Sequence, residues 1–170
     1  MNPELLKKLF IHRTDVYANQ KKDGGYYPSK KPLSDEILQR HLDGKETVGV
    51  YQLDTHDTVK FSCIDIDINK TVWKESSYNF DDWKDKIYKQ ISIIKNKLSA
   101  QGITGYGEIS GFKGAHVWYF FKSPIPAGVV KDLNHVLFGD IHPIDPDMHI
   151  EFFPKQDSIG TDGYGNLVKL

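Results

Sequence analysis

Two aspartates stand two residues apart in an otherwise apolar segment, Phe61-Ser62-Cys63-Ile64-Asp65-Ile66-Asp67-Ile68. In a β-strand alternate side chains share a face, so the isoleucines point to the core and the two carboxylates point the other way, about 7 Å apart. Aspartate is disfavoured in strands, so two of them in an Ile-rich segment indicate a specific role. Carboxylate oxygens suit Mg²⁺ or Mn²⁺, and a phosphate group completes the coordination of such ions. We therefore predict that Asp65 and Asp67 bind divalent metal; a solvent-facing strand with two acids is the simpler alternative.

A second polar cluster, Ser110-Gly111-Phe112-Lys113-Gly114-Ala115-His116, lies between two predicted strands. Gly111 and Gly114 have no side chains, so the backbone can approach a ligand closely. Lys113 offers a mobile positive charge, and Ser110 and His116 can donate hydrogen bonds to phosphate oxygens. A Gly-x-x-Gly turn taken alone is often only a tight hairpin. The Ser, Lys and His within seven residues favour a phosphate-binding turn.

The third candidate is Glu151 in His149-Ile150-Glu151-Phe152-Phe153, which shares a strand face with His149 and Phe153. It is suited to supply the third carboxylate of a two-metal site. Lys155 and Gln156 follow Pro154, which ends the strand, and are predicted to reach a substrate from a loop. Ordinary surface polarity is the competing interpretation for all three residues.

The elements that must position these groups follow from periodicity and from cap and turn residues. Helices are predicted after Asn2-Pro3, from Ser34 to Leu42, from Asn79 or Asp81 to Gly102 and after Pro126. Strands are predicted over 47–53, 59–68, 106–110, 115–121 and 149–153, with the first two forming a hairpin, and over the apolar end of the tail. Residues 12–32 are predicted to form a long loop. This mixture predicts an α+β fold, with helices on one face of a central sheet.

Composition excludes several classes of protein. The 170 residues carry a net charge of −1, which argues against a protein that coats nucleic acid without regard to sequence. One cysteine, Cys63, allows neither an internal disulfide nor a cysteine-based metal cluster. No segment has the pattern of a membrane span or of a signal peptide, so a cytoplasmic protein without membrane partners is expected.

The order of these motifs resembles that of the archaeo-eukaryotic primase superfamily: Asp65-x-Asp67, then Ser110-x-x-Lys113-x-x-His116, then Glu151. The short segments that flank these motifs are similar to those of one branch of the superfamily. That branch contains the primase domains of TOTE conflict systems and the CRISPR-associated primase-polymerases. These segments are Asp15-Val16-Tyr17-Ala18, Leu42-Asp43-Gly44-Lys45, Thr47-Val48-Gly49-Val50-Tyr51, Gly114-Ala115-His116-Val117-Trp118, Phe153-Pro154-Lys155-Gln156 and Gly165-Asn166-Leu167.

The resemblance implies one catalytic domain over 1–170, with a helical or arm segment over 1–45. It implies an αβ lobe packed on a lobe like an RNA-recognition motif (RRM), with the active site between them. Asp65, Asp67 and Glu151 would then be both the catalytic residues and the ligands of two Mg²⁺ or Mn²⁺ ions. The incoming nucleotide would be held by Ser110, Lys113, Gly114, His116, Lys155, Gln156 and Lys169.

The implied activity is template-dependent nucleotidyl transfer that starts and extends DNA or RNA primers. The implied partners are nucleoside triphosphates, with ribose or deoxyribose, and single-stranded DNA template and primer. Many members carry a Cys/His zinc-binding insert before Leu33-Ser34-Asp35-Glu36; here that stretch is short and has no cysteine, so no zinc is expected. The chain is expected to continue past Leu170, with further domains or conflict-system partners.

Three other functions compete with this one on the residues alone. A nuclease also uses carboxylates and two metals, but it would degrade the template rather than require triphosphates. A metal-dependent nucleotide-sugar glycosyltransferase also uses an Asp-x-Asp strand end, although it does not explain the Ser-Lys-His cluster. A non-catalytic RRM-like nucleic-acid-binding module needs exposed sheet aromatics and has no use for paired acids.

Overall fold

The computed structural model describes residues 2–22, 24–161 and 163–170. Its helices are α1 (Pro3–Phe10), α2 (Asp35–Leu42), α3 (Lys70–Trp73), α4 (Lys84–Ala100) and α5 (Ala127–Phe138), with a 3₁₀ turn at Phe80–Trp83. Its strands are β1 (Tyr17–Gln20), β2 (Tyr26–Ser29), β3 (Val48–Tyr51), β4 (Thr58–Ile68), β5 (Tyr106–Ile109), β6 (Gly114–Pro126), β7 (Met148–Phe153) and β8 (Leu167–Lys169). Within these ranges no helix has both the length and the hydropathy needed to cross a bilayer.

The chain divides into two units. The first contains residues 1–61, 120–130 and 154–170, and the second contains residues 62–119 and 131–153. The mixed helix and sheet content confirms the α+β prediction.

The first unit is built on a four-stranded sheet in the order β2-β1-β3-β8, in which neighbouring strands run antiparallel. The side chains of Val48, Val50 and Val168 share one buried face of this sheet. Phe10 from α1 packs edge-on against Phe61, with ring centroids 5.7 Å apart. These contacts give the unit its own apolar core.

The second unit holds a four-stranded sheet in the order β5-β6-β4-β7. The elements follow the chain as β4, α4, β5, β6, α5 and β7, which is the βαββαβ arrangement of ferredoxin-like and RRM domains. The RRM-like lobe implied by the family resemblance is therefore present in this unit.

Helices cover one face of the second sheet. The α4 stripe, formed by Ile87, Ile94 and Leu98 at helical spacing, is fully buried. From α5, Asn134 accepts a hydrogen bond from the Tyr119 hydroxyl at 2.8 Å and donates one to the Phe153 carbonyl at 3.3 Å. Since the helices occupy this face, the polar side chains of the strands gather on the opposite one.

Two predictions about local structure are wrong. The expected loop over 12–32 contains β1 and β2, which pair with each other. The expected hairpin of 47–53 with 59–68 does not form, because β3 already pairs with β1 and β8 and so has no open edge for β4. The turn between them is present, with the Asp57 N–H donating to the Asp54 carbonyl at 3.1 Å.

Candidate active site

One row of polar residues crosses all four strands of the second unit's sheet. Asp65 on β4 lies directly opposite Glu151 on β7, and Glu108 on β5 lies directly opposite His116 on β6. His116 connects the two pairs, because its Nε2 lies 3.7 Å from Asp65 Oδ1 and its Nδ1 lies 3.5 Å from Glu108 Oε2. Three carboxylates and an imidazole therefore share one face of the sheet.

A second row lies one pleat further along. Asp67 is opposite His149, whose Nε2 is 4.0 Å from Asp67 Oδ2. The Lys113 ammonium pairs with that same oxygen. This lysine reaches it because Gly114 allows β6 to start against β4: a Cβ on Gly114 would overlap the Ile66 carbonyl oxygen and lie 2.6 Å from Asp67 Oδ1. Position 114 therefore requires glycine because no side chain fits there, in addition to any role of the glycine in the turn.

The Asp65 carboxylate fits the role of a cation ligand. In the described part of the chain, its Oδ1 is buried and accepts no hydrogen bond. A buried carboxylate oxygen without a partner is costly, and a bound cation would remove that cost. Asp67 is also buried, and its charge is offset by Lys113. Among residues 2–22, 24–161 and 163–170, no three His, Cys, Asp or Glu side chains are grouped closely enough to hold a metal ion.

The Ser110 to Gly114 turn presents the lysine. The Ser110 N–H donates to the Gly114 carbonyl at 3.0 Å, which closes the turn. Phe112 at its tip packs edge-on against Trp73 and Tyr78, and the Tyr78 hydroxyl donates to the Phe112 carbonyl at 2.8 Å. Aromatic residues from 73 and 78 thus hold the turn in place, so Lys113 projects from a supported backbone.

Trp118 and Glu108 fix the outer end of the first row. The Trp118 indole N–H donates to Glu108 Oε2 at 2.7 Å, and the Trp118 ring meets the His116 ring edge-on with centroids 5.0 Å apart. The His116 side chain is 7% exposed, so its ring is held between Trp118 and the two flanking carboxylates. This packing restricts the direction in which the imidazole nitrogens can point.

The predicted site residues divide between the units. The second unit brings together Asp65, Asp67, Ser110, Lys113, Gly114, His116 and Glu151. The other three predicted residues, Lys155, Gln156 and Lys169, belong to the first unit. There the Lys155 N–H donates to Asn166 Oδ1 at 2.7 Å, and the Gln156 amide donates to the Ser158 carbonyl at 2.7 Å. Lys169 lies on β8, opposite Gly49.

Sequence reasoning assigned no role to Glu108, Trp118 or His149. Each lies on a predicted strand, and the alternation of side chains places each on a definite face. What was missing is the register, which sets Glu108 beside His116 and His149 beside Asp67. An acidic or imidazole side chain on the polar face of a predicted strand was the available signal.

Comparison with known proteins gives a family. The family model described as the archaeo-eukaryotic primase domain of TOTE conflict systems matches residues 2–170. No curated protein matches the chain. Among solved structures, the polymerase domain of Ligase D from Mycobacterium tuberculosis, in complex with DNA, has 11% sequence identity and a TM-score of 0.49. That match covers 78% of this chain but 57% of the Ligase D chain.

Proposed function

Since the chain belongs to the archaeo-eukaryotic primase domain family of TOTE conflict systems, we propose that it is a template-dependent primase-polymerase. It starts and extends DNA or RNA primers on single-stranded DNA by two-metal phosphoryl transfer. The observation that carries the proposal is the pair of rows on one sheet face, where Asp65, Glu151 and His116 lie beside Asp67 and Lys113. Carboxylates next to a lysine and an imidazole suit a metal-bound triphosphate.

Asp65, Asp67 and Glu151 would hold the divalent ions. Such ions, when bound, neutralise charge on the phosphates and activate a 3′-hydroxyl for in-line attack on the α-phosphate. The buried Asp65 Oδ1, which accepts no hydrogen bond among the described residues, supports this role. Because Mg²⁺ usually keeps several waters and binds one or two carboxylates plus substrate phosphates, a closed protein cage is not required.

Lys113, His116, Ser110 and Gly114 would bind the triphosphate. When the triphosphate binds, the Lys113 ammonium exchanges its ion pair with the Asp67 carboxylate for one with a phosphate oxygen. Gly114 keeps the backbone close to Asp67, and His116 donates from a fixed ring. Together they offset the charge that develops as pyrophosphate leaves.

Lys155, Gln156 and Lys169 are assigned to the nucleotide or the template. In the first unit Gln156 also accepts from the Asn166 amide at 3.4 Å, so its side chain is oriented before a ligand arrives. During primer initiation the attacking hydroxyl belongs to a second bound nucleotide. We also propose that the full protein acts together with further domains or with other proteins of a conflict system.

The test is synthesis without a primer. The protein is incubated with single-stranded DNA, Mn²⁺ or Mg²⁺, and labelled ribo- or deoxynucleotides, and the products are separated by size. We expect labelled oligomers from the wild type and none from the double variant Asp65→Ala/Asp67→Ala. The matched control is Asp82→Ala/Asp132→Ala, which removes two exposed carboxylates from the same unit. Circular dichroism verifies that each variant is folded.

Synthesis by the Asp65/Asp67 double variant at the wild-type rate would refute the site assignment. Binding of DNA without synthesis in any condition would instead point to an RRM-like binding module. Loss of template in place of new product would indicate a nuclease, and sugar transfer from a nucleotide-sugar would indicate a glycosyltransferase.

A further inference from the structure

Asn69 stands at the N-cap of α3 but serves another purpose. An asparagine at this position normally accepts from the first turn of its helix, yet within the described residues Asn69 makes no side-chain capping bond. Its Nδ2 instead donates to the Pro146 carbonyl at 3.1 Å, and its backbone N–H donates to the Asp147 carbonyl at 2.7 Å. Its Oδ1 lies 3.0 Å from His149 Nδ1. Asn69 is thus fixed by the 146–147 backbone and directed at His149.

This arrangement determines which nitrogen of His149 carries the hydrogen. The Asn69 amide group is committed to a carbonyl, so its Oδ1 can only accept. His149 Nδ1 must therefore donate, and in the neutral ring Nε2 carries the lone pair. Nε2 lies 4.0 Å from Asp67 Oδ2, which is too far for a hydrogen bond.

His149 Nε2 and Asp67 Oδ2 each carry a lone pair, and the 4.0 Å between them suits a cation that both atoms bind. Metal bonds to imidazole nitrogen and to carboxylate oxygen are each about 2.0–2.2 Å long, so one cation can bond both atoms across this gap when they lie on nearly opposite sides of it. Histidine ligands characteristically donate their other ring N–H to a carbonyl or carboxylate oxygen, as His149 does to Asn69. A positive charge already occupies this region, because the Lys113 ammonium pairs with the same Asp67 oxygen.

We propose that His149 is a nitrogen ligand of the divalent ion that Asp67 binds, with Asn69 as its positioning residue. The inference rests on the proposed function, since it assigns a further ligand to the same site. Water and phosphate oxygens complete the shell, since no three His, Cys, Asp or Glu side chains among the described residues are grouped to hold an ion. Imidazole nitrogen is a softer ligand than carboxylate oxygen, so the His149 ligand should strengthen the binding of a first-row transition ion, even Mn²⁺ as the weakest binder of that series, more than the binding of Mg²⁺.

The experiment measures Mn²⁺ coordination directly by electron paramagnetic resonance on the whole chain. Electron spin echo modulation detects a nitrogen nucleus bonded to Mn²⁺, and ¹⁵N-labelled histidine identifies its source. We expect nitrogen coupling in the wild type and in the control His142→Gln, which changes an exposed histidine, but not in His149→Gln. We also expect Asn69→Ala to weaken Mn²⁺ binding by about 10–100-fold, the usual effect of removing a partner of a metal-bound histidine.

Nitrogen coupling that persists in His149→Gln, or that is missing from Mn²⁺-loaded wild type, overturns the inference. Equal loss of Mg²⁺ and Mn²⁺ affinity in His149→Gln overturns the proposed metal preference. Primer synthesis is assayed on the same samples, which separates the two proposals. A wild type that synthesises primers without nitrogen coupling refutes the His149 ligand alone, whereas a wild type that binds Mn²⁺ through nitrogen without synthesis refutes the primase proposal alone.

Discussion

Replacing Gly114 with alanine tests whether the close approach of β6 to β4 builds the site. The added methyl would overlap the Ile66 carbonyl oxygen and lie 2.6 Å from Asp67 Oδ1. A backbone carbonyl within a strand cannot rotate away, so the start of β6 must shift. Overpacking of this kind costs about 1–3 kcal/mol of unfolding free energy. The shift also moves Lys113, and a displacement of about 1 Å at a group of the proposed nucleotide site would lower the rate by about 10²-fold.

The control for Gly114→Ala is Gly102→Ala, at the end of α4. Gly102 has a φ of +70°, and no described atom lies within 4 Å of the point that an added methyl would occupy, so alanine there is strained but not crowded. A left-handed alanine costs about 1–2 kcal/mol, which is similar to the expected cost at Gly114. Urea unfolding should therefore show comparable losses of stability for the two variants. Only Gly114→Ala should lose primer synthesis, and equal synthesis rates in the two variants would refute the steric reasoning.

Three further predictions concern single side chains. Lys113→Met should weaken nucleotide binding and strengthen divalent-ion binding to the nucleotide-free protein by about tenfold, measured by calorimetry, because Asp67 loses its charge-assisted hydrogen bond; unchanged ion affinity would contradict this. Burial lowers the pKa of His12 below its usual 6.5, against the opposing effect of Asp54, so the unfolded chain takes up the proton first as pH falls. Wild-type stability should thus decline below about pH 6.5 in urea unfolding, and His12→Gln should show a flatter decline. Asn134→Ala should cost about 1–3 kcal/mol, because the buried Tyr119 hydroxyl loses the Asn134 acceptor and the Phe153 carbonyl loses the Asn134 donor while it keeps the hydrogen bond from Ser62, whereas the exposed Val136→Ala should stay within about 0.5 kcal/mol.

Strong periodicity made the second unit predictable from its sequence. The α4 stripe has helical spacing and lies against the sheet, with Gly107 close enough that a Cβ would come within 2.9 Å of Ile91. The β4 alternation likewise puts Ile64 and Ile66 in the core, both fully buried. Elements of this kind carry their own signal, because one buried face fixes their period.

The first unit was harder to predict because β1 and β2 are short and lack alternation. β2 includes Pro28, which normally argues against a strand but is tolerated here because β2 is the edge of its sheet. Strand pairing also depends on partners far along the chain, such as β8 for β3. For the same reason Asp65, Asp67 and Glu151 could be proposed as site residues from their types, whereas placing Glu108 and His149 beside them required the register.

Neighbouring residues of β4 point to opposite faces of the sheet and therefore have different surroundings. Even-numbered positions from 62 to 68 lie in the interior, and the odd-numbered Asp65 and Asp67 face the polar rows. A library that randomises only these two odd-numbered residues would therefore vary the proposed ion site while the fully buried even-numbered residues stay unchanged. Directed evolution of this scaffold can thus treat chemistry and foldedness as separate variables along a single strand.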